Sequence, residues 1–180
     1  MNAHASPAAA YPIGNDPALS AQVRRELVDT LVARTGMAAE EAEREFDRRD
    51  PAAAFERRFA AAGLSRHDLG DVLAAHTLAM WSIVHDAPLP DAAVAAGVRA
   101  QLAASLHGRP EANDPVRRQL VGEALVCECM LSLESHGDAR QRGDRQALAG
   151  IAEAAQRNML ERQGINLKKT RPTPRGLQRA

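Results

Sequence analysis

Three times in this chain an aspartate stands directly before a proline at the head of an apolar-periodic run: Asp16-Pro17, Asp50-Pro51 and Asp114-Pro115. Each pair is a helix start written in two residues. The carboxylate accepts backbone N–H groups that the first turn leaves unpaired, and proline is tolerated at the first helical position because its missing N–H has no partner there to lose. No stretch of four or more residues alternates Val, Ile, Thr or aromatics with polar residues, so strands have no support. A chain of this kind is expected to be helical throughout.

Glycines and prolines mark where the helices stop. Leu19, Val23, Leu27 and Leu31 form one stripe that Gly36 ends. A charged second helix over about 38–49 is anchored by Phe46, and a short third carries Phe55 and Phe59 up to Gly63. The fourth opens at Ser65 and Asp68, which resemble a capping box, and holds Leu69, Val72, Leu73, His76, Met80, Ile83 and Val84 on one face. Pro88 and Pro90 break it. A fifth helix over about 91–106 carries Val94, Val98 and Leu102. In the sixth, only Glu128 and Ser132 are polar between Ala124 and Leu133, which places it at the centre of the bundle. A seventh runs to about Gln163, with Gly164 after it.

The fold class read from this pattern is all-α, a single-domain bundle of six to seven helices with no sheet, over 16–167. Residues 1–15, rich in Ala, Pro and Ser, read as disordered, and 168–180 as a basic tail, extended or mobile. About a fifth of the residues are alanine and only 3% are aromatic, so the core is built from Ala, Leu and Val. Leu73, Ile83, Leu120, Leu125, Met130 and Leu131 are expected in it.

Charge and cysteine content narrow the function classes. The net charge is zero, but the last thirteen residues hold Lys168, Lys169, Arg171, Arg175 and Arg179 and no acid. The body is therefore mildly acidic, which argues against general nucleic-acid binding. Cys127 and Cys129, two apart on a helix, point about 200° apart, so they can neither bridge each other nor chelate one metal. The first fourteen residues lack the basic start and apolar run of a signal peptide, which makes a cytoplasmic location the expectation. No apolar stretch approaches 18 residues, so no membrane span is expected.

Few residues invite chemistry. His76 sits in the middle of an apolar face, where a core histidine satisfied by one hydrogen bond is the ordinary case. His85, His107 and His136 lie near helix C-termini, where a cation suits the dipole. There is no H-E-x-x-H, no paired E-x-x-H and no C-x-x-C, so neither a metal nor a cofactor is called for. Glu128 would have a raised pKa if buried, a common device for acid–base work. Ser132 and Ser135 lie on its side of the helix, however, and a narrow solvated stripe explains it more simply. Trp81, the only tryptophan, lies at the core edge, with a partner-binding anchor as the sharper alternative. The five tail cations read first as a solvated terminus and second as an arm for nucleic acid or an acidic surface.

The order of these elements resembles a bacterial family known only as a domain of unknown function. The resemblance runs from about Asp16 to Leu177. It rests on Ala62-Gly63-Leu64, then Asp71 and Trp81, then Val98-Arg99-x-Gln101. It continues through Gln119-x-x-x-Glu123-Ala124-Leu125 and Gly164-x-Asn166-Leu167. The chain departs from that family in lacking aromatics near His76 and Thr77 and in lacking a signal peptide. The resemblance implies the helical fold and no activity.

The function expected is that of a non-enzymatic helical domain that binds a protein partner. One rival is a hydrolase or lyase built on Glu128 and His76, and another is weak nucleic-acid or acidic-surface binding through the tail. Two observations separate them. A water-accessible cleft lined by both Glu128 and His76 favours the enzyme, and a contiguous exposed apolar patch of several hundred Å² favours the binder.

Overall fold

The structure is a computed structural model that describes residues 11–180. The first ten residues of the expected disordered segment lie outside the described residues. Seven helices of nine or more residues and one single-turn helix follow in order. They are α1 (Pro17–Thr35), α2 (Ala39–Arg49), α3 (Pro51–Phe59), α4 (Leu69–His85), α5 (Ala92–Ser105), the single turn α6 (Pro110–Asn113), α7 (Pro115–Gln141) and α8 (Arg145–Gln163).

Aspartate starts six of the seven longer helices among the described residues. Asp16 accepts from the N–H of Ala18, Asp50 from Ala53, Asp91 from Val94, Asp114 from Val116 and Asp144 from Ala147. Each such cap is worth about 1 kcal/mol. Asp68 caps α4 by accepting from Gly70 and Asp71, so the cap is Asp68 itself and not a box opened by Ser65. Asp50 serves two helices at once. Its φ of 40° is left-handed and ends α2, and its carboxylate then starts α3.

The centre of the bundle is α4, whose buried residues run almost without a break from Leu69 to Ile83. Against it pack α5, α7 and α8. Ala74, Ala75, Ala79 and Cys129 are fully buried and let the backbones approach, and Phe55 and Phe59 fill one end with ring centroids 4.8 Å apart. The helix expected at the centre, α7, shares it with α4: it packs against α4 on one side and against α1, α3, α6 and α8 around the rest. Of the expected core, Ile83 and Met130 are buried, while Leu73, Leu120, Leu125 and Leu131 are only partly so.

Two peripheral segments are tied down. Tyr11 to Gly14 straps the start of α4, with Ile13 N–H donating to His67 and Leu69 N–H to Tyr11. At the other end the expectation of no sheet is corrected. After a 3-10 turn at Leu167–Lys169, β1 (Thr170–Thr173) and β2 (Gly176–Arg179) form an antiparallel hairpin with Thr170 opposite Arg179 and Thr173 opposite Gly176. The strands are four residues each and one contains proline, so they carry no period-two signal; tertiary contacts hold them. Pro172 is buried, Gln101 of α5 pairs with the Leu177 backbone, and Trp81 of α4 donates to Thr170. Gly97 of α5 leaves room for the Pro174 carbonyl, which a Cβ there would overlap.

Candidate functional site

A cleft of about 360 Å³ opens between α4, α5, α7 and α8. Its walls are aliphatic: Leu69 and Leu73 from α4, Leu102 and Leu106 from the end of α5, Val121 and Leu125 from α7, Met159 from α8 and Ile165 beyond it. Its polar end holds His76 and Glu128, with Asn158 and Arg162 beside them, and Arg109 and Glu111 also line it. The two residues singled out for chemistry, on helices far apart in sequence, thus share one cleft.

His76 is 3% exposed, and neither Nδ1 nor Nε2 has a hydrogen-bond partner. Its Nε2 lies 3.8 Å from Oε2 of Glu128, within reach of an ion pair and too far for a hydrogen bond. Glu128 is better supplied. Asn158 donates to Oε1 at 3.4 Å and Arg162 to Oε2 at 3.1 Å. The facing His76 imidazole holds the Glu128 carboxyl below its ordinary range; burial opposes this, and Arg162 and Asn158 reinforce it. The raised pKa expected of a buried Glu128 is therefore reversed, because α4 and α8 supply partners that its own helix does not.

Asn158 and Arg162 escaped the sequence reading. They are four apart on α8 and so share a face, but nothing in their own segment points to Glu128. A second cleft of about 680 Å³ lies between α1, α2 and α7. Several of its polar groups already have partners: Arg24 binds Asp47, and Glu123 accepts from Ser20 and from the neighbouring Gln119. His76 has no such partner, which makes the first cleft the candidate.

The other singled-out residues lie elsewhere. Trp81 is partly buried; its indole N–H donates to the Thr170 carbonyl at 2.9 Å and its ring lies 4.6 Å from that of His85. Lys168, Lys169, Arg171, Arg175 and Arg179 are all exposed on the 3-10 turn and the hairpin, and none lines the cleft. Among the described residues the large exposed hydrophobics are Val116 and Leu160, too little for a patch of several hundred Å². No helix among them is long and apolar enough to cross a membrane.

No curated protein and no solved structure matches this chain. A family model does, over residues 1–179, nearly the whole length. The chain belongs to the family of unknown function DUF6683.

Proposed function

We propose that this chain binds a small molecule in the α4–α5–α7–α8 cleft, with His76 and Glu128 gripping the polar end. One observation carries the reading. A histidine 3% exposed, with both ring nitrogens unpartnered, faces a cleft of ligand size. Leaving a buried polar group unpaired costs about 1–3 kcal/mol. A ligand that supplies the missing partner recovers that cost on binding, as affinity.

Acid–base catalysis by the same pair, as in a hydrolase or lyase, is the second reading, and the cleft that both residues line favours it over a protein binder. An anionic Glu128 facing Nε2 favours the tautomer with its proton there, which leaves Nδ1 as a base. Protein binding through Trp81 has less support, since its N–H is already engaged by Thr170. Binding of an anionic surface by the 3-10 turn and the hairpin rests on their five exposed cations alone.

The test is ¹⁵N NMR of the His76 ring during titration with a panel of small amphiphiles. Movement of those signals, lost in a Ser105→Trp variant that obstructs the cleft, supports the reading. A folded protein whose His76 signals no amphiphile moves would end it.

A further inference from the structure

We infer that the ligand is a neutral aliphatic alcohol whose hydroxyl oxygen bridges His76 Nε2 and Glu128 Oε2. This rests on the reading of the cleft as a binding site, and three features of the cleft select the class.

The first is the wall. Every apolar lining residue is aliphatic, and no Phe, Tyr or Trp ring lines the cleft. Such a surface suits a flexible hydrocarbon chain and offers nothing for an aromatic ring to stack on. The second is charge. Two arginines, Arg109 and Arg162, are balanced by two carboxylates, Glu111 and Glu128. A site of zero formal charge gives a charged ligand no net attraction, while burying that ligand's charge would still cost desolvation.

The third feature is the gap itself. An oxygen about 2.8 Å from each neighbour completes a triangle on the 3.8 Å base between Nε2 and Oε2, and because Nε2 is closed to solvent the two side chains part slightly to admit it. Oε2 accepts one hydrogen bond, from Arg162, and keeps room for a second. A hydroxyl has one proton to donate and two lone pairs that accept. It donates to Glu128 and accepts from the Nε2–H of His76, which satisfies both with a single atom. A carboxylate head would set a second anion against Glu128. An ammonium head could donate to both only if the imidazole moved its proton to Nδ1, against the tautomer that Glu128 favours. A primary amide carries its donor and acceptor on separate atoms and needs a wider gap.

The experiment compares 1-octanol, octanoate, octylamine and octanamide, which share one chain length, on the full-length protein. Dissociation constants are read from the methyl signal of Met159, which lines the cleft without touching the proposed hydrogen bonds. The expected result is that 1-octanol binds at least about tenfold tighter than the other three, a difference of about one hydrogen bond. His76→Phe and Glu128→Leu should each remove most of that preference. Glu128 is only half-buried, so its variant is expected to fold even where the histidine variant does not. Tightest binding by octanoate, octylamine or octanamide overturns the alcohol and keeps the cleft. Binding of 1-octanol unchanged in folded variants overturns the bridging hydroxyl. Failure of all four to move Met159 overturns the cleft as well.

Discussion

The indole N–H of Trp81 donates to the carbonyl of Thr170, 89 residues further along the chain and 2.9 Å away. One helical turn on, Nε2 of His85 meets the Leu167 carbonyl at 3.1 Å. Two side chains of α4 thus hold the segment from which the hairpin springs. Truncation after Leu167 removes the Trp81 bond and the packing of Pro172 and Leu177. The melting temperature is expected to fall by roughly 5 °C or more, as a few kcal/mol does in a domain of this size. Trp81→Phe should cost about 1 kcal/mol. A truncated chain that melts with the intact one would show that the hairpin adds nothing to stability.

Gly97 tests the same contact from the other side. Replacing an ordinary mid-helix glycine by alanine stabilises by roughly 0.5–1 kcal/mol. Here the added methyl would run into the Pro174 carbonyl, which is backbone and cannot rotate away. Gly97→Ala is therefore expected to destabilise, with faster amide exchange in the hairpin than in α4. Hydrogen exchange by NMR reads both regions in one experiment.

The burial of α4 sets the scale for its core. Leu78 is 2% exposed, so Leu78→Ala should cost about 2–5 kcal/mol. Leu125 borders the cleft and is half-buried, so Leu125→Ala should cost less than half as much. Urea unfolding of the two variants gives the ratio directly. Equal losses would show that the cleft side of α7 is packed as tightly as the core face of α4.

Acid stability follows from two carboxylates. Hydrogen bonds from Arg48 and Arg49 pull Glu45 from 4.5 down to about 2, and His76 above all holds Glu128 below 4.5. Both lose their protons more readily folded than unfolded. Their contribution is therefore complete above about pH 4.5 and is lost as pH falls through the folded values. Asp71 opposes this: burial raises it despite its bonds from Ser65 and Arg99, so its ionisation costs stability at higher pH. Melting temperature should be flat near neutrality and should decline from about pH 4.5 toward 2. Glu45→Gln should flatten part of that decline. Glu45 lies near the surface, where solvent and salt weaken its pairs, so its share is expected to shrink in high salt.

What could be read beforehand depended on how local the cause was. The Asp-Pro starts are local, and Asp16, Asp50 and Asp114 all cap the helices they announced. His76 and Glu128 could each be singled out, but their pairing depends on how α4 and α7 are rotated against each other, which no periodicity encodes. The hairpin was missed because its causes are remote: Trp81, Gly97 and Gln101 lie in other helices. Several of the residues that carry the family resemblance act across similar distances. Asp71 binds Arg99, Trp81 and Gln101 hold the hairpin, and Gln119 links the Asp16 backbone to Glu123. Their shared task is to fasten one segment to another.

The two cysteines look out of opposite sides of α7. Cys127 lines the larger cleft beside α1, and Cys129 faces the Ala75 carbonyl of α4 at 4.0 Å. Burial pushes the Cys127 thiol up to about 12, with Glu123 adding to the rise, and it pushes Cys129 up as well. Alkylating reagents attack the thiolate, so both sulfurs stay silent while α7 is packed. Each labelling rate then becomes a clock for the opening of its own side. Labelling of Cys127 alone marks departure of α1, and simultaneous labelling of both marks loss of the whole bundle. The protein carries a built-in reporter that separates partial from global unfolding without any added probe site.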